Sequence, residues 1–492
     1  MKALLATLLL ALAGANHAQA QSSPPGAQRN TRHALIIGIG DYADASVPQL
    51  KGVVHDMGSA RRMAQAMAIP DANIRLLRDE DASASRIRSE ISALQARVAD
   101  GDRVFVYYSG HGTRWWDPSQ PGDGCTEGLL ASDGQVLTNA ELGRRLAPLA
   151  KVADKMLVFY DACFSGGVAG APMRTRSLRL ADETITPKFS PGGSVEQCAK
   201  PSNFRTRSLA GTMQQQQALP QNVVHVAASR PDEVSFDSAS RGGFATTAWR
   251  DCLLGQARDL DGSGAITVQE VTVCAQAKLT KALQGQPGVL GQQMTVAGNP
   301  DFVPAWMGAD FAAPAAGPAS TATPAQILQE LHGQRDGERG VTAATRKQRL
   351  KIGVDTLELE LTAQRDGYLY IAQAGSDGQS LYLLYPNALA TDNRVRAGQR
   401  VALPGKNWEL VAGAPAGTET LLLMVTDAPR DLSALAQETT GPFMKTLLGG
   451  DGRSRLQSVL SNGTPGKDCG KPGAPSCSDA FGSALLRVET VP

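Results

Sequence analysis

Two strand-like runs in this 492-residue chain end on side chains suited to nucleophilic chemistry. Arg103 to Gly112 reads RVFVYYSGHG, an apolar run that stops on a serine and a glycine-flanked histidine. Leu157 to Gly167 reads LVFYDACFSGG, which stops on an acid, a thiol and a Ser-Gly-Gly turn. Side chains two apart on a strand share a direction. Ser109 and His111 therefore form one pair, and Asp161 and Cys163 the other. If the two strands are neighbours, one crevice collects an imidazole, a thiol, a hydroxyl and a carboxylate. A free thiol is mostly protonated at neutral pH; a nearby histidine activates it as a nucleophile and later protonates the leaving group. Gly110, Gly112, Gly166 and Gly167 leave room for a substrate backbone. A lone Cys or His at such a place is more often a core residue; two matched strand ends in one domain favour chemistry.

Aiming these groups requires a sheet. From His33 to about Met307, apolar strand-like runs alternate with helical patterns. Residues 33–39, 74–77, 104–109, 156–160 and 223–229 read as strands, and 53–67, 83–98 and 140–149 as helices between them. This alternation predicts an α/β fold, a mostly parallel sheet sandwiched by helices, with ligands outside the carboxyl ends of its strands. Residues 309–344 open on an Ala/Pro/Gly/Ser/Thr-rich run and read as a linker. Beyond them TLELELTA, GYLYIAQA, SLYLLYPN and TLLLMVTD alternate or run apolar between turns. Residues 345–490 are therefore expected to form a β-rich, sandwich-like domain. No cluster in it has a spacing that suggests chemistry, so binding or stabilisation is its expected role.

A net charge of +1 and an apolar fraction of 42% give ordinary cores and no reason to expect nucleic acid. Lys2 precedes an apolar run, Ala3 to Ala13, and Ala18-Gln19-Ala20 has the form of a signal peptidase site. The run is short for a bilayer span. Residues 1–20 are read as a cleaved signal peptide, the mature chain as periplasmic or secreted, and nothing after it as transmembrane. Export makes the seven cysteines candidates for disulfides, and an odd count leaves one thiol over. Cys163 is the candidate for that thiol. Cys469 and Cys477 suggest a local bridge; pairing among Cys125, Cys198, Cys252 and Cys274 stays open.

YSGHG followed by DACFSG resembles the caspase and metacaspase cysteine peptidases. The resemblance runs from His33 to Met307 and takes in LIIGIGDY, LKGVVHDM, LLASDG, AASRPDEVSFD and GGFATTAW. It implies a peptidase domain over 31–308, with His111 and Cys163 as catalytic dyad. It also implies an oxyanion hole from the backbone N–H groups of Gly112 and Cys163. The implied reaction is acyl transfer from a protein or peptide substrate to the thiolate, then hydrolysis, with no cofactor required. Caspases proper cut after Asp, and metacaspases after Arg or Lys. Asp161 matches the acidic pocket residue of the metacaspase pattern, Asp56 a second acid and Ser109 the pocket serine. Carboxylates facing a basic side chain give charge-assisted hydrogen bonds. The chain departs from the pattern at Val53 and His55, where metacaspases carry Cys and Asn, and at Gly170, where many carry a calcium-binding aspartate. The C-terminal region resembles an accessory domain of unknown function fused to bacterial members.

Two further motifs carry expectations. DLDGSGAITVQE fits a twelve-residue calcium loop. Asp259, Asp261 and Ser263 stand at its first, third and fifth places. Gly264 is sixth, the Ala265 carbonyl is seventh and Glu270 is twelfth. A polar turn between two helices reads equally well. Arg174 to Leu178 and Arg205 to Leu209 repeat the sequence RTRSL around a segment rich in Pro, Gly, Ser and charge, within a long processing loop over 170–220. Exposed loops are preferred nicking sites, so self-cleavage after Arg176 and Arg207 is expected. Two functional readings follow: an exported cysteine endopeptidase cutting after Arg or Lys, or a catalytically quiet scaffold binding envelope partners. A thiol kept beside a histidine favours the first.

Overall fold

The structure, a computed structural model, describes residues 31–117, 125–163, 178–180, 183–190, 222–230, 233–284, 292–304, 322–405, 408–435, 438–447, 452–463 and 478–492. β1 (Arg32–Gly38) leads through α1 (Val53–Ala66) to β2 (Ile74–Arg78), and α2 (Ala84–Arg97) leads to β3 (Arg103–Ser109). Then come β4 (Gly112–Trp116), β5 (Cys125–Leu130), β6 (Val136–Thr138), α3 (Asn139–Val152) and β7 (Lys155–Asp161). They are followed by β8 (Leu178–Leu180), β9 (Glu183–Pro187), β10 (Val223–Ala227), β11 (Phe236–Ser238) and β12 (Gly242–Gly243). Helices α4 (Phe244–Asp251) and α5 (Val268–Leu283) precede β13 (Thr295–Gly298).

The central sheet has the order β13-β10-β7-β3-β1-β2. Its strands are parallel except for the β10–β13 pair. From β1 the chain adds β2 on one side, then crosses to add β3, β7 and β10 on the other. The reversal beside β1 opens a crevice at the carboxyl ends of the strands, as in other open α/β sheets. The period-two pattern explains both faces. Ala34, Ile36, Phe105, Tyr107, Leu157 and Phe159 point to one core, shared with Met57 of α1, Trp249 of α4 and Val271 of α5. Leu35, Ile37, Val104, Val106, Met156 and Val158 point to the other, under Ile87 and Ile91 of α2 and Leu142 and Leu146 of α3. Trp249 is fully buried, edge-on to Phe159 with ring centroids 5.4 Å apart, and its indole N–H donates to Thr272 at 3.3 Å. A disulfide joins Cys252, just after α4, to Cys274 in α5, with Cα atoms 6.0 Å apart. That resolves two of the cysteines whose pairing the sequence left open; Cys198, Cys469 and Cys477 lie outside the described residues. Cys163 is a free, buried thiol.

The C-terminal part is built on an eight-stranded sheet with a three-stranded sheet beside it. Gly367–Ala374, Gly417–Thr426 and Phe481–Val491 form the middle of the large sheet. Leu359, Leu361, Leu421 and Leu423 lie in the core shared with the small sheet, which gives the sandwich-like arrangement. On the opposite face Ile327, Leu328 and Leu331 of α6 (Pro324–Gly333), with Leu456 and Leu460 of α7 (Gly452–Ser461), cover Leu422 and Met424. The expected linker over 309–344 is therefore shorter than its composition suggests. Residues 324–333 are helix and Val341–Thr345 a strand. The helix has a local cause: Thr323 and Gln326 form a capping box with Pro324 in the first turn.

The two parts meet at the amino ends of the central strands, opposite the crevice. Arg32, Arg103 and Lys155 lie side by side in register at the starts of β1, β3 and β7. Arg32 pairs with Asp479 at 2.8 Å, Arg103 with Asp154 at 2.9 Å, and the Lys155 ammonium donates to the Gln334 carbonyl at 2.9 Å. Arg339 reaches Asp100 at 3.3 Å. Such buried cations demand facing acids and carbonyls, so this edge fixes where the second domain docks.

Candidate active site

β3 and β7 are neighbours, and Ser109 stands opposite Asp161. The condition that would bring the two strand ends together is thus met. The chain leaves β3 at a serine, so His111 hangs over the crevice; it leaves β7 at an acid, so Cys163 does too. Both side chains are buried. The His111 Nε2–H donates to the Pro48 carbonyl at 2.6 Å, which leaves Nδ1 as the unprotonated nitrogen. Nδ1 itself is buried, with no hydrogen-bond partner among the described residues. The backbone N–H of His111 donates to the Tyr42 hydroxyl at 2.7 Å, and the two rings pack with centroids 5.1 Å apart. The Cys163 thiol lies 3.2 Å from the Ser235 carbonyl, and the Ser235 N–H donates to Sγ at 3.0 Å. Burial lowers the His111 imidazole to about 4, and burial pushes the Cys163 thiol up to about 12. Both groups are neutral at pH 7 in this closed arrangement.

What closes the site is the chain's own Lys188. Its ammonium lies 2.6 Å from Asp56, 2.8 Å from the Ser109 hydroxyl and 2.9 Å from Asp161. Asp237 stands 4.0 Å away. All four charged side chains are sealed from solvent. Its carbonyl oxygen accepts from the N–H groups of Gly112 at 3.0 Å and Cys163 at 3.1 Å. These are the two donors the resemblance implies for an oxyanion hole. The preceding residues form β9, which pairs antiparallel with β11: Pro187 faces Phe236, Thr186 faces Asp237 and Ile185 faces Ser238. The Lys188 N–H donates to the Ser235 carbonyl at 2.9 Å, and the Ser190 N–H to the Gly112 carbonyl at 3.0 Å. Lys188 thus has its side chain among carboxylates and its carbonyl on two backbone donors, one of them the N–H of Cys163.

The pocket is braced from all sides. Ser109 donates to Asp56 at 2.7 Å, and the Gly243 N–H donates to its other oxygen at 2.7 Å. Asp161 accepts from Ser235 at 2.8 Å and from Thr246 at 2.6 Å. Burial alone would lower the Lys188 pKa, but the facing carboxylates of Asp161, Asp56 and Asp237 outweigh it and raise it above the ordinary lysine value. Burial raises Asp56 against the pull of that ammonium. The Gly-Gly of GGFATTAW is a space requirement. A Cβ on Gly243 would sit 1.9 Å from the Asp161 carboxylate, and Gly242 adopts a φ of 92°. His55, which could have competed for Asp56, is exposed on the outer face of α1.

Asp56, Ser109, Asp161, His111, Cys163 and Gly112 are thus brought together. Lys188, Pro48, Ser235, Asp237 and Thr246 complete the site and were missed by the sequence reading. Asp237 and Ser235 lay within a quoted motif, AASRPDEVSFD, and were the most findable. Arg176 and Arg207 lie outside the described residues, as do residues 1–20. In the candidate calcium loop one carboxylate oxygen from each of Asp259, Asp261 and Glu270 lies within 4.8 Å of the others. Glu270 also caps α5 by accepting from Thr267, and Asp259 accepts from Gly262 and Gly264, so each has a local hydrogen-bonding role. Ser263 reaches the Ala265 carbonyl at 3.3 Å. No helix among the described residues is long and apolar enough to cross a membrane.

Residues 31–295 match the family model described as Caspase domain, more than half the chain, and residues 349–429 match Domain of unknown function (DUF4384). The chain belongs to the caspase-domain family of cysteine peptidases, which act on proteins or peptides and generally need no cofactor. Among curated proteins it is similar to Metacaspase-6 of Arabidopsis thaliana, 31% identical over 147 residues, 28% of this chain and 39% of that one. It is also similar to Metacaspase-4 of the same plant, 30% identical over 151 residues, 28% of this chain and 34% of the relative. The chain thus spans little over a third of the length of these relatives. Two solved structures also align. A protein from Geobacter sulfurreducens, GSU0716, is 18% identical at a TM-score of 0.38, covering 58% of this chain and 99% of its own. Caspase-1 from Spodoptera frugiperda is 12% identical at 0.35, covering 56% and 89%.

Proposed function

We propose that this chain is an exported cysteine endopeptidase that cuts after Lys or Arg, is held closed by its own Lys188, and opens by cutting the Lys188–Phe189 bond. The observation that carries the reading is the pose of Lys188, with its ammonium among Asp56, Ser109 and Asp161 and its carbonyl on the Gly112 and Cys163 N–H groups. An aspartate in that pocket would face two carboxylates at hydrogen-bond distance and be repelled. The cut runs as follows. The thiol proton passes to His111 Nδ1 as Sγ bonds to the Lys188 carbonyl carbon, and the two N–H donors stabilise the oxyanion. The bond to the Phe189 nitrogen breaks as Nδ1–H delivers its proton there. Water then attacks the thioester, giving its proton back through Nδ1 to the departing sulfur, and the Lys188 carboxylate is released. Cleavage after Arg176 and Arg207 remains a separate proposal from the repeat, with Lys188 favoured as the bond already seated.

Export is supported by the leader pattern and by the Cys252–Cys274 bond, since disulfides persist in oxidising compartments. Calcium in the Asp259–Glu270 loop is a proposal from the ligand pattern of the sequence. The central test is intact mass of wild type beside Cys163→Ala, with fluorogenic peptides ending in Lys, Arg or Asp. The wild type should give fragments ending at Lys188 and beginning at Phe189, the variant none, and only basic peptides should be cut. An active enzyme with an unbroken chain sinks the self-cleavage; a preference for Asp sinks the pocket.

A further inference from the structure

The segment that fills the pocket is also held at its far end. Glu183, five residues before Lys188, inserts its carboxylate into the turn between β11 and β12. One of its oxygens accepts from the hydroxyls of Ser238 and Ser240 and from the Ser240 N–H at 3.3 Å. The other accepts from the Arg241 guanidinium at 2.7 Å. The turn is set for this task by its own contacts. The Arg241 N–H donates to the Ser238 hydroxyl at 3.1 Å, and the guanidinium lies over the Phe244 ring, 5.4 Å from its centroid. Two hydroxyls, an amide and a braced guanidinium form a carboxylate cradle on the surface that β9 covers. Between the cradle and the pocket, Ile185 is fully buried in the core that holds Phe236 and Phe244. Burial alone would raise the Glu183 carboxyl, but its bonds to Ser238, Ser240 and Arg241 hold it at about 2, so it is ionised throughout the working range.

We propose that the Ser238–Arg241 turn is a specificity subsite that reads an acidic side chain six positions before the scissile bond, so that substrates are extended strands carrying Glu or Asp there and Lys or Arg at the cut. The inference rests on the reading of Lys188 as a substrate-like residue. Any strand that replaces β9 on β11 in the same register sets its sixth residue from the cut in this cradle, because strand pairing fixes the spacing. The cradle is on the open side of the molecule: Arg241 is 57% exposed while Glu183 is 18% exposed. It therefore acts by selecting charge, with a modest gain for the right one and a penalty for the wrong one.

The test uses the fully self-processed enzyme and the chain's own sequence as substrate, the fluorogenic amide of ETITPK, beside KTITPK and ETITPD. Wild type should prefer glutamate over lysine at the first place by roughly tenfold in kcat/KM. Arg241→Glu should reverse that order while keeping the demand for lysine at the cut. A ratio is read within each enzyme, so partial activity or partial folding of the variant does not enter it. A wild-type ratio near one, or a ratio that Arg241→Glu leaves unchanged, overturns the subsite while the lysine pocket stands. Failure to cut either lysine peptide, or a preference for ETITPD, overturns the underlying reading and the subsite with it.

Discussion

Lys188→Ala, made in the Cys163→Ala background so that the chain stays whole, removes the ammonium held among the carboxylates of Asp56, Asp161 and Asp237. The side chains of Lys188, Asp56 and Asp161 are wholly buried, so water cannot take the ammonium's place without opening the site. Breaking a buried ion pair by removing one partner costs roughly 3–5 kcal/mol. At roughly 2–4 °C per kcal/mol for a domain of this size, the melting temperature should fall by about 6–20 °C. The pH dependence gives a second, sharper reading. The wild-type ammonium has a raised pKa, so its stabilisation is fully present at all pH values below the ordinary lysine value of 10.5 and is lost only above it. In the variant, burial holds the Asp56 and Asp237 carboxylates above their ordinary value of 3.8, and Asp56 is already near 7 with the lysine present. Their penalty is full above those raised values and fades as pH falls and they protonate. The gap between the two proteins should therefore be wider at pH 8 than at pH 5 by differential scanning fluorimetry. A gap under about 2 °C at pH 8, or one that grows on acidification, refutes the ion cage.

Gly243→Ala should cut activity on lysine peptides roughly ten- to hundredfold, because the added methyl meets the Asp161 carboxylate and the Lys188 ammonium. Gly58→Ala, with open space around it, is the matched control and should be silent. His225 is buried with neither ring nitrogen hydrogen-bonded among the described residues, stacked on Tyr160, and burial lowers it from 6.5 to about 4. Its folded pKa lies below its unfolded one, so stability should hold above pH 6.5 and fall by about 3 kcal/mol as pH drops to 4, and His225→Phe should remove that share of the slope in urea titrations. Calcium at about 1 mM should raise the melting temperature, and Asp259→Ala with Glu270→Gln should abolish the rise; no rise returns the loop to a plain turn.

The candidate dyad and Asp161 could be placed from the sequence because each is a local event. A buried strand has period two, and the residue types at its end show what it aims into the crevice, so Ser109, His111, Asp161 and Cys163 could be paired before β3 and β7 were known to be neighbours. The strands of the C-terminal sheet were legible for the same reason, from alternation between turns. Asp56 needed the family resemblance, since a helical aspartate beside a histidine looks solvated by pattern alone. Other features depend on contacts between distant segments, which no local pattern encodes. Lys188 sits in a stretch that reads as an exposed processing loop; only the pairing of β9 with β11 carries it into the pocket and sets its carbonyl on two backbone donors. The Pro48 carbonyl that orients His111 is a main-chain group with no sequence signature. Arg32, Arg103 and Lys155 each look like an ordinary charge flanking a strand, and become a docking row only when the parallel register aligns them. Local pattern singled out the candidate reacting groups; the tertiary fold decided what fills the cleft, because burial pairs a lysine with acids only when both are brought out of water together.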